Sequence, residues 1–533
     1  MNRKIDHILP SDYEPFDVTD IEGTIPARFA RMADAHGNRV AISDSETQMS
    51  YAVLDGLSSG LAGEIVERLG TASEPVALLY RSGAPALVAQ LATLKSGKFF
   101  ACLDSQLEPQ RLLPLLEDLG VRMMLCSAEL EPKALSLAQT LPGCSMINSE
   151  SAGLSGGETV QPNLSPDSPA CVIYTSGSTG PPEGVLISHR SLLHFVLLHT
   201  NSTHLRKEDR GLQVCPLSSV ASTAEIFPIL LNGGTLVPFN LKELGGKLLV
   251  ELLQKERITV CTFVPVAFRV LLASLPSDTI LTDMRLVRLS GDRILRRDCV
   301  GFAKHFSADC LLRASYGASE SLLCTNYFVH RDHIPDREVV PAGYPLPDTE
   351  VLIVDDELNR LGPNETGEIA IKSRYLSSGY WRNDALTAER YLDSGDGDGS
   401  AIYLTRDVGY LEPDGCLIHL GRRDARVKIY GKMVTLTDIE SAMMSIDGVD
   451  EAVVVAIAKA DAERFLAAYY VAVGAEAPDP DTIRRELRTR LPPEILPRKI
   501  VRLEALPVTD RNKIDRRRLA AEVSDFECRS CPT

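Results

Sequence analysis

Continuous apolar stretches of strand length recur along the first four hundred positions, separated by segments with helical spacing. Pro75–Tyr80 (PVALLY) and Phe99–Leu103 (FFACL) are two such stretches, and Pro85–Leu94 between them repeats apolar side chains with helical period. Strand, helix and strand in this order predict a βαβ unit, whose right-handed crossover makes the strands parallel. Strands apolar on both faces imply helices over both sides of the sheet. Ala170–Tyr174 is a further short strand, and Ser188 is placed to cap a helix carrying Leu192, Leu193, Phe195 and Val196. In such folds ligands gather in the loops at strand ends.

Around Gly421 the pattern changes. Apolar runs Ala452–Ile457 and Phe465–Val473 and a charged helix near Thr482–Arg490 form a smaller α+β module. The predicted fold is therefore α/β. A large N-terminal domain of mainly parallel sheets covered by helices occupies residues 1–422, and a small, mobile α+β C-terminal domain occupies 423–533. Ser149–Asp167 and the acidic DSGDGDGS of Asp393–Ser400 interrupt the pattern and predict solvated surface insertions.

Length and charge narrow the function classes. At 533 residues the chain is longer than one core usually fills. A net charge of −16 argues against a general nucleic-acid binder. Twelve cysteines follow no framework spacing, and the N-terminus lacks an apolar segment of signal-peptide length, which predicts a reducing, cytoplasmic setting. Cys528 and Cys531 form one CxxC pair without a second pair or a histidine cluster, too little for a zinc site. No apolar stretch reaches the roughly 18 to 20 residues of a membrane-spanning helix.

The candidate chemistry starts at YTSGSTGPPEGVLISH, Tyr174–His189. Glycine admits close backbone approach, and hydroxyls with successive amides form a concave anion site, so Thr175, Ser176, Gly177, Ser178, Thr179 and Gly180 suit the phosphates of ATP. The spacing differs from the G-x-x-x-x-G-K-[ST] loop. A flexible linker would not follow the apolar CVIY directly and lead into VLI.

This segment resembles, almost letter for letter, the signature loop of the adenylate-forming superfamily: acyl-CoA synthetases, luciferases and the adenylation domains of peptide synthetases. The resemblance extends over nearly the whole chain, including Ser50–Leu54, Leu94–Asp104, Gly367–Ile371 and Gly379–Trp381. It implies ATP and Mg2+ as cofactors, with Thr175–Gly180 on the β- and γ-phosphates. Within SYGASES it puts Ser315, Tyr316 and Gly317 around the adenine and Glu320 on the magnesium. Gly291 and Asp292 of the SGD segment would flank the adenine pocket. Asp407 would accept hydrogen bonds from the ribose hydroxyls, with Arg422 adding a charged contact near the same sugar or the phosphate. Asp424 falls at the family's hinge. Lys513, in TDRNKIDRRRL, is the residue expected to bridge the acyl carboxylate and the α-phosphate, which makes it the leading catalytic candidate beside Glu320 and Thr175.

The resemblance also maps an acyl pocket onto Val220, Ala221, Ala224, Thr262, Arg288, Ser290, Ser315, Leu323 and Cys324. Amino-acid-activating domains place an aspartate where this chain has Val220. Burying an ammonium without a partner costs several kcal/mol, so an ordinary α-amino acid is disfavoured. Arg288 interrupts the apolar RLVRLS and has two readings: a pocket residue that pairs an acidic or phosphorylated group, or a side chain on the solvated side of an edge strand. Other departures are Pro181, Pro182 and Glu183 after the phosphate loop, where lysines are usual, and Arg406 in place of the glycine of TGD. The first predicts weaker phosphate attraction, and the second removes no reacting group.

The expected activity is ATP-dependent formation of an acyl adenylate with release of pyrophosphate. Acyl transfer to the phosphopantetheine thiol of a separate carrier protein would follow, as in secondary metabolism. The segment Gly421–Glu440 looks closer to peptide-synthetase hinge segments than to those of acyl-CoA synthetases. Free coenzyme A is the alternative acceptor, and a non-catalytic nucleotide-binding protein on a decayed scaffold is the alternative of another class. Neither nucleic acid nor a membrane is an expected partner.

Overall fold

The computed structural model describes residues 8–44, 47–150, 164–175, 182–423, 426–429, 432–459, 462–472, 477–508 and 514–521. Two compact units emerge from the packing. The first comprises residues 1–352, 370–405 and 413–417; the second comprises 353–369, 406–412 and 418–533. The second thus takes in short stretches that precede the expected boundary after 422.

Two large sheets form most of the first unit, to which residues 370–405 add strands of a further, five-stranded sheet. The six-stranded sheet runs Ser145–Asn148, Met123–Cys126, Pro75–Tyr80, Phe99–Asp104, Pro169–Thr175 and Glu183–Ser188. All neighbours are parallel except the last pair. The βαβ unit appears where the apolar pattern puts it, with its helix at Ala84–Lys95. The nine-stranded sheet has a parallel centre, in the order Leu311–Tyr316, Leu286–Leu289, Val260–Phe263, Arg210–Gln213, Thr235–Pro238 and Val40–Ser43. Antiparallel strands close its two edges.

The helix His189–Thr203 starts where expected, with Ser188 Oγ accepting from the Ser191 amide. It is buried along nearly its whole length, polar residues included, and Thr200, Ser202 and Thr203 satisfy their hydroxyls by donating to carbonyls one turn back. Its Leu192 and Val196 join Leu87, Ile226, Val260, Leu286 and Leu311 in the largest core cluster. Asp393–Ser400 forms the expected solvated turn, joining the antiparallel strands Tyr391–Asp393 and Ala401–Leu411. Most of Ser149–Asp167, and Cys528 and Cys531, lie outside the described residues.

The second unit is α+β. Val449–Lys459 pairs antiparallel with Ala462–Ala472, which pairs parallel with Lys499–Leu503. Helices Leu436–Met444 and Pro480–Arg490 cover this sheet through Ile439, Met443, Ile483 and Leu487. Arg516 forms an ion pair with the buried Glu440, whose Oε1 also accepts from the Val454 amide.

Candidate active site

Thr175 ends its strand opposite Glu183, and its hydroxyl donates to the Glu183 carbonyl at 3.4 Å. Ser176, Gly177, Ser178, Thr179 and Gly180 lie outside the described residues, so the structure describes the neck of this loop. The far side of the Glu183–Ser188 strand receives the segment Gly379–Trp381: the Leu186 amide donates to Gly379 O and the Trp381 amide to Gly184 O. That register holds Tyr380 beside Val185, on the strand that leads out of the loop.

Glu320 is buried, and its Oε1 accepts from the Tyr380 hydroxyl at 2.8 Å. Its carbonyl accepts from the Ser377 amide. Tyr403 hydrogen-bonds to Tyr380, and Tyr391 completes a ring of three phenols. Burial raises the pKa of all three, and the Glu320 charge adds to the rise, so each phenol keeps its proton as a donor.

Ser315 and Tyr316 end the Leu311–Tyr316 strand, and Gly317 begins the turn that leads to Glu320. A Cβ on Gly317 would lie 1.7 Å from the Leu322 carbonyl oxygen, so this turn tolerates only glycine. The chain then returns through Leu322, held at φ 55°, and the Cys324 amide donates to Tyr316 O. Ser290, Gly291 and Asp292 follow the neighbouring strand Leu286–Leu289, with Gly291 at φ 88° and both Gly291 and Asp292 exposed.

The mapped acyl-pocket residues collect on one face of the large sheet and on the helix facing it. Thr262, Arg288 and Arg313 form one cross-strand row. Ser290 and Ser315 lie two residues further along, on the same face. Val220 and Ala221 open the helix Val220–Leu230 and are half-buried, while Ala224, Leu323 and Cys324 are buried.

Arg288 does not lie on the solvated side of an edge strand. Its strand is central, and its side chain is 2% exposed. It reaches inward, donating to His199 Nδ1 at 2.8 Å and to Ala224 O at 3.1 Å. Burial lowers its pKa to about 10, against the opposing charge of Glu225. Glu225 itself is fully buried and accepts from the Val214 and Cys215 amides.

Sequence reasoning missed Arg313, His199 and the tyrosines around Glu320. A signal for Arg313 was present: R-x-S occurs twice, as Arg288–Ser290 and Arg313–Ser315, each at the end of an apolar strand. The tyrosines come from three separate segments and share no local pattern.

In the second unit, Asp407 on the Ala401–Leu411 strand is buried. Arg422 approaches its Oδ1 at 3.5 Å, and His419 Nε2 approaches Oδ2 at 3.7 Å. The predicted ribose ligand and its cationic neighbour are thus adjacent. Arg406 takes the glycine-like conformation that its position demands, φ 61°, and its amide donates to Glu368. Asp424 and Lys513 lie outside the described residues. Among those residues, no group of three or more His, Cys, Asp or Glu is placed to hold a metal ion, and no helix is long and apolar enough to cross a membrane.

Residues 29–381 match the family of AMP-binding enzymes, and residues 438–513 match the C-terminal domain of AMP-binding enzymes. The chain belongs to the AMP-binding enzyme family. Among curated relatives of this AMP-binding enzyme, tyrocidine synthase 2 of Brevibacillus parabrevis is 28% identical over 502 residues, covering 93% of the chain and 13% of that protein. The chain spans less than half the length of the first curated relatives it matches. Solved structures share the fold. ATP-bound MatB from Rhodopseudomonas palustris aligns with a TM-score of 0.81 at 22% identity, over 95% of this chain and all of that one. The O-succinylbenzoate coenzyme A synthetase MenE from Bacillus subtilis, in complex with AMP, aligns at 0.78 and 21% identity, over 93% and 98%.

Proposed function

We propose that this AMP-binding enzyme joins a carboxylic acid to the α-phosphate of ATP, releasing pyrophosphate, and then passes the acyl group to a thiol. The observation that carries the reading is that three segments which carry this chain's resemblance are linked in one place. The strand ending at Thr175, the Gly379–Trp381 segment and Glu320 are tied together by backbone pairing and by the Tyr380 hydroxyl.

The carboxylate oxygen attacks phosphorus as pyrophosphate leaves, so catalysis consists of alignment and stabilisation of developing charge. Thr175 and the loop after it bind the phosphates in this reading. Magnesium, when bound, offsets phosphate charge. Glu320 suits it as a hard oxygen ligand, because Tyr380 engages Oε1 and leaves Oε2 for the ion. Asp407 takes the ribose hydroxyls, with the Arg422 guanidinium beside it. Lys513 meets the charge that builds between the two reacting oxygens, and Asp424 is the pivot that brings it there.

Val220 stands at the start of the helix lining the pocket, and the first carboxylate of that helix, Glu225, is engaged by backbone amides. An ammonium would find no partner there, which supports an acid other than an α-amino acid.

The thiol belongs to the phosphopantetheine arm of a carrier protein, a reading supported by the likeness to peptide synthetases. Coenzyme A is the second reading, supported by the likeness to a coenzyme A synthetase. Exchange of labelled pyrophosphate into ATP that requires an added carboxylic acid, and is lost in Lys513→Ala, tests the first step. Offering both thiols to preformed adenylate separates the acceptors.

A further inference from the structure

Arg288 and Arg313 sit side by side on adjacent parallel strands, 2% and 1% exposed. Neither has a carboxylate at ion-pair distance among the described residues. Arg313 donates to Ser202 Oγ at 3.3 Å and to His199 Nδ1 at 3.0 Å, and Arg288 donates to the same Nδ1. An imidazole nitrogen that accepts from two guanidiniums holds its lone pair there, so its proton is on Nε2. Burial and both guanidinium charges push the His199 pKa well down, consistent with that neutral form.

The remaining donors are unsatisfied. Arg288 Nε, Arg313 Nε and His199 Nε2 are buried without a hydrogen-bond partner, and so are the hydroxyls of Thr262 and Ser315 on the same sheet face. Glu225, the acidic group that acts most on Arg288, has both oxygens engaged by the Val214 and Cys215 amides. The face therefore carries two buried positive charges and several unpartnered donors, and the side-chain amide of Asn326, opposite Ser315, adds further unpartnered donors and one acceptor. Two buried like charges without counterions cost several kcal/mol, which an anion with acceptor oxygens would offset.

We propose that the acid activated by this enzyme carries a second anionic group, which Arg288 and Arg313 bind on the sheet face shared with Thr262 and Ser315. The inference rests on the adenylating function above and names its substrate class: a dicarboxylate or a phosphorylated carboxylic acid. One carboxyl group reacts with ATP and the other anion stays on the arginines.

The test is acid-dependent pyrophosphate exchange by the whole chain with matched probes. These are short aliphatic and aromatic dicarboxylates, their monomethyl esters, monocarboxylates of equal carbon number, and a phosphorylated hydroxy acid beside its unphosphorylated form. The expected result is a kcat/KM for the best doubly anionic acid at least about 30-fold above that of its neutralised counterpart, the smallest loss typical of breaking a buried charge pair. Arg288→Met and Arg313→Met should each narrow that ratio, and the wild-type comparison stands even if a variant fails to fold. Exchange that is equal or faster with esters or monocarboxylates overturns this inference and leaves the adenylating function intact. Exchange with none of the acids overturns the function itself.

Discussion

The Tyr380 hydroxyl donates to Glu320 Oε1 at 2.8 Å, linking two residues sixty positions apart. A buried carboxylate needs donors, and this phenol supplies one while fixing the rotamer of the proposed magnesium ligand. Tyr380→Phe keeps the ring and removes the donor. The expected outcome is a fall in kcat/KM of about tenfold or more, with a higher magnesium requirement, since outer-shell partners typically contribute that much. Steady-state kinetics across magnesium concentrations check it. An unchanged magnesium dependence would remove Tyr380 from this role.

Arg406 holds φ 61°, a conformation that costs a side-chain-bearing residue about 1 kcal/mol or more. Its amide bond to Glu368 does not depend on the side chain. Arg406→Gly is expected to raise stability by about 1 kcal/mol in denaturant titration. A lower midpoint would show that guanidinium contacts outweigh the backbone strain.

Burial raises the pKa of Glu225 to about 8, more than its amide partners and Arg288 lower it. The unfolded group titrates near 4.5, so between these values the folded state holds the extra proton. The stability tied to this group is complete below about 4.5, declines as pH rises, and is lost above about 8. Glu225→Gln abolishes the titration and keeps an acceptor for the amides. The wild type's thermal midpoint relative to this variant should fall steadily from pH 5 to pH 8.5. A constant difference across that range would contradict the assigned protonation.

Fold and site were legible to different depths. Pro85–Leu94 emerged as Ala84–Lys95, and the Ser188 cap was found in place, because apolar period and capping chemistry are local. Arg288 was not legible in this way. Its partners His199 and Ala224 lie 89 and 64 positions away, so nothing in RLVRLS distinguishes a central strand from an edge. The cage around Glu320 was hidden for the same reason, since Tyr380, Tyr391 and Tyr403 meet only through strand pairing. The stretches 353–369 and 406–412 pack with residues more distant in sequence, which a single boundary at 422 does not express.

Which phosphate bond of ATP breaks is the most direct measure of the central claim. Phosphorus NMR of the products, with hydroxylamine present to trap activated acid, should show AMP and pyrophosphate in equal amounts, a matching yield of hydroxamate, and neither without the acid. ADP and inorganic phosphate, or AMP formed independently of any acid, would contradict the account.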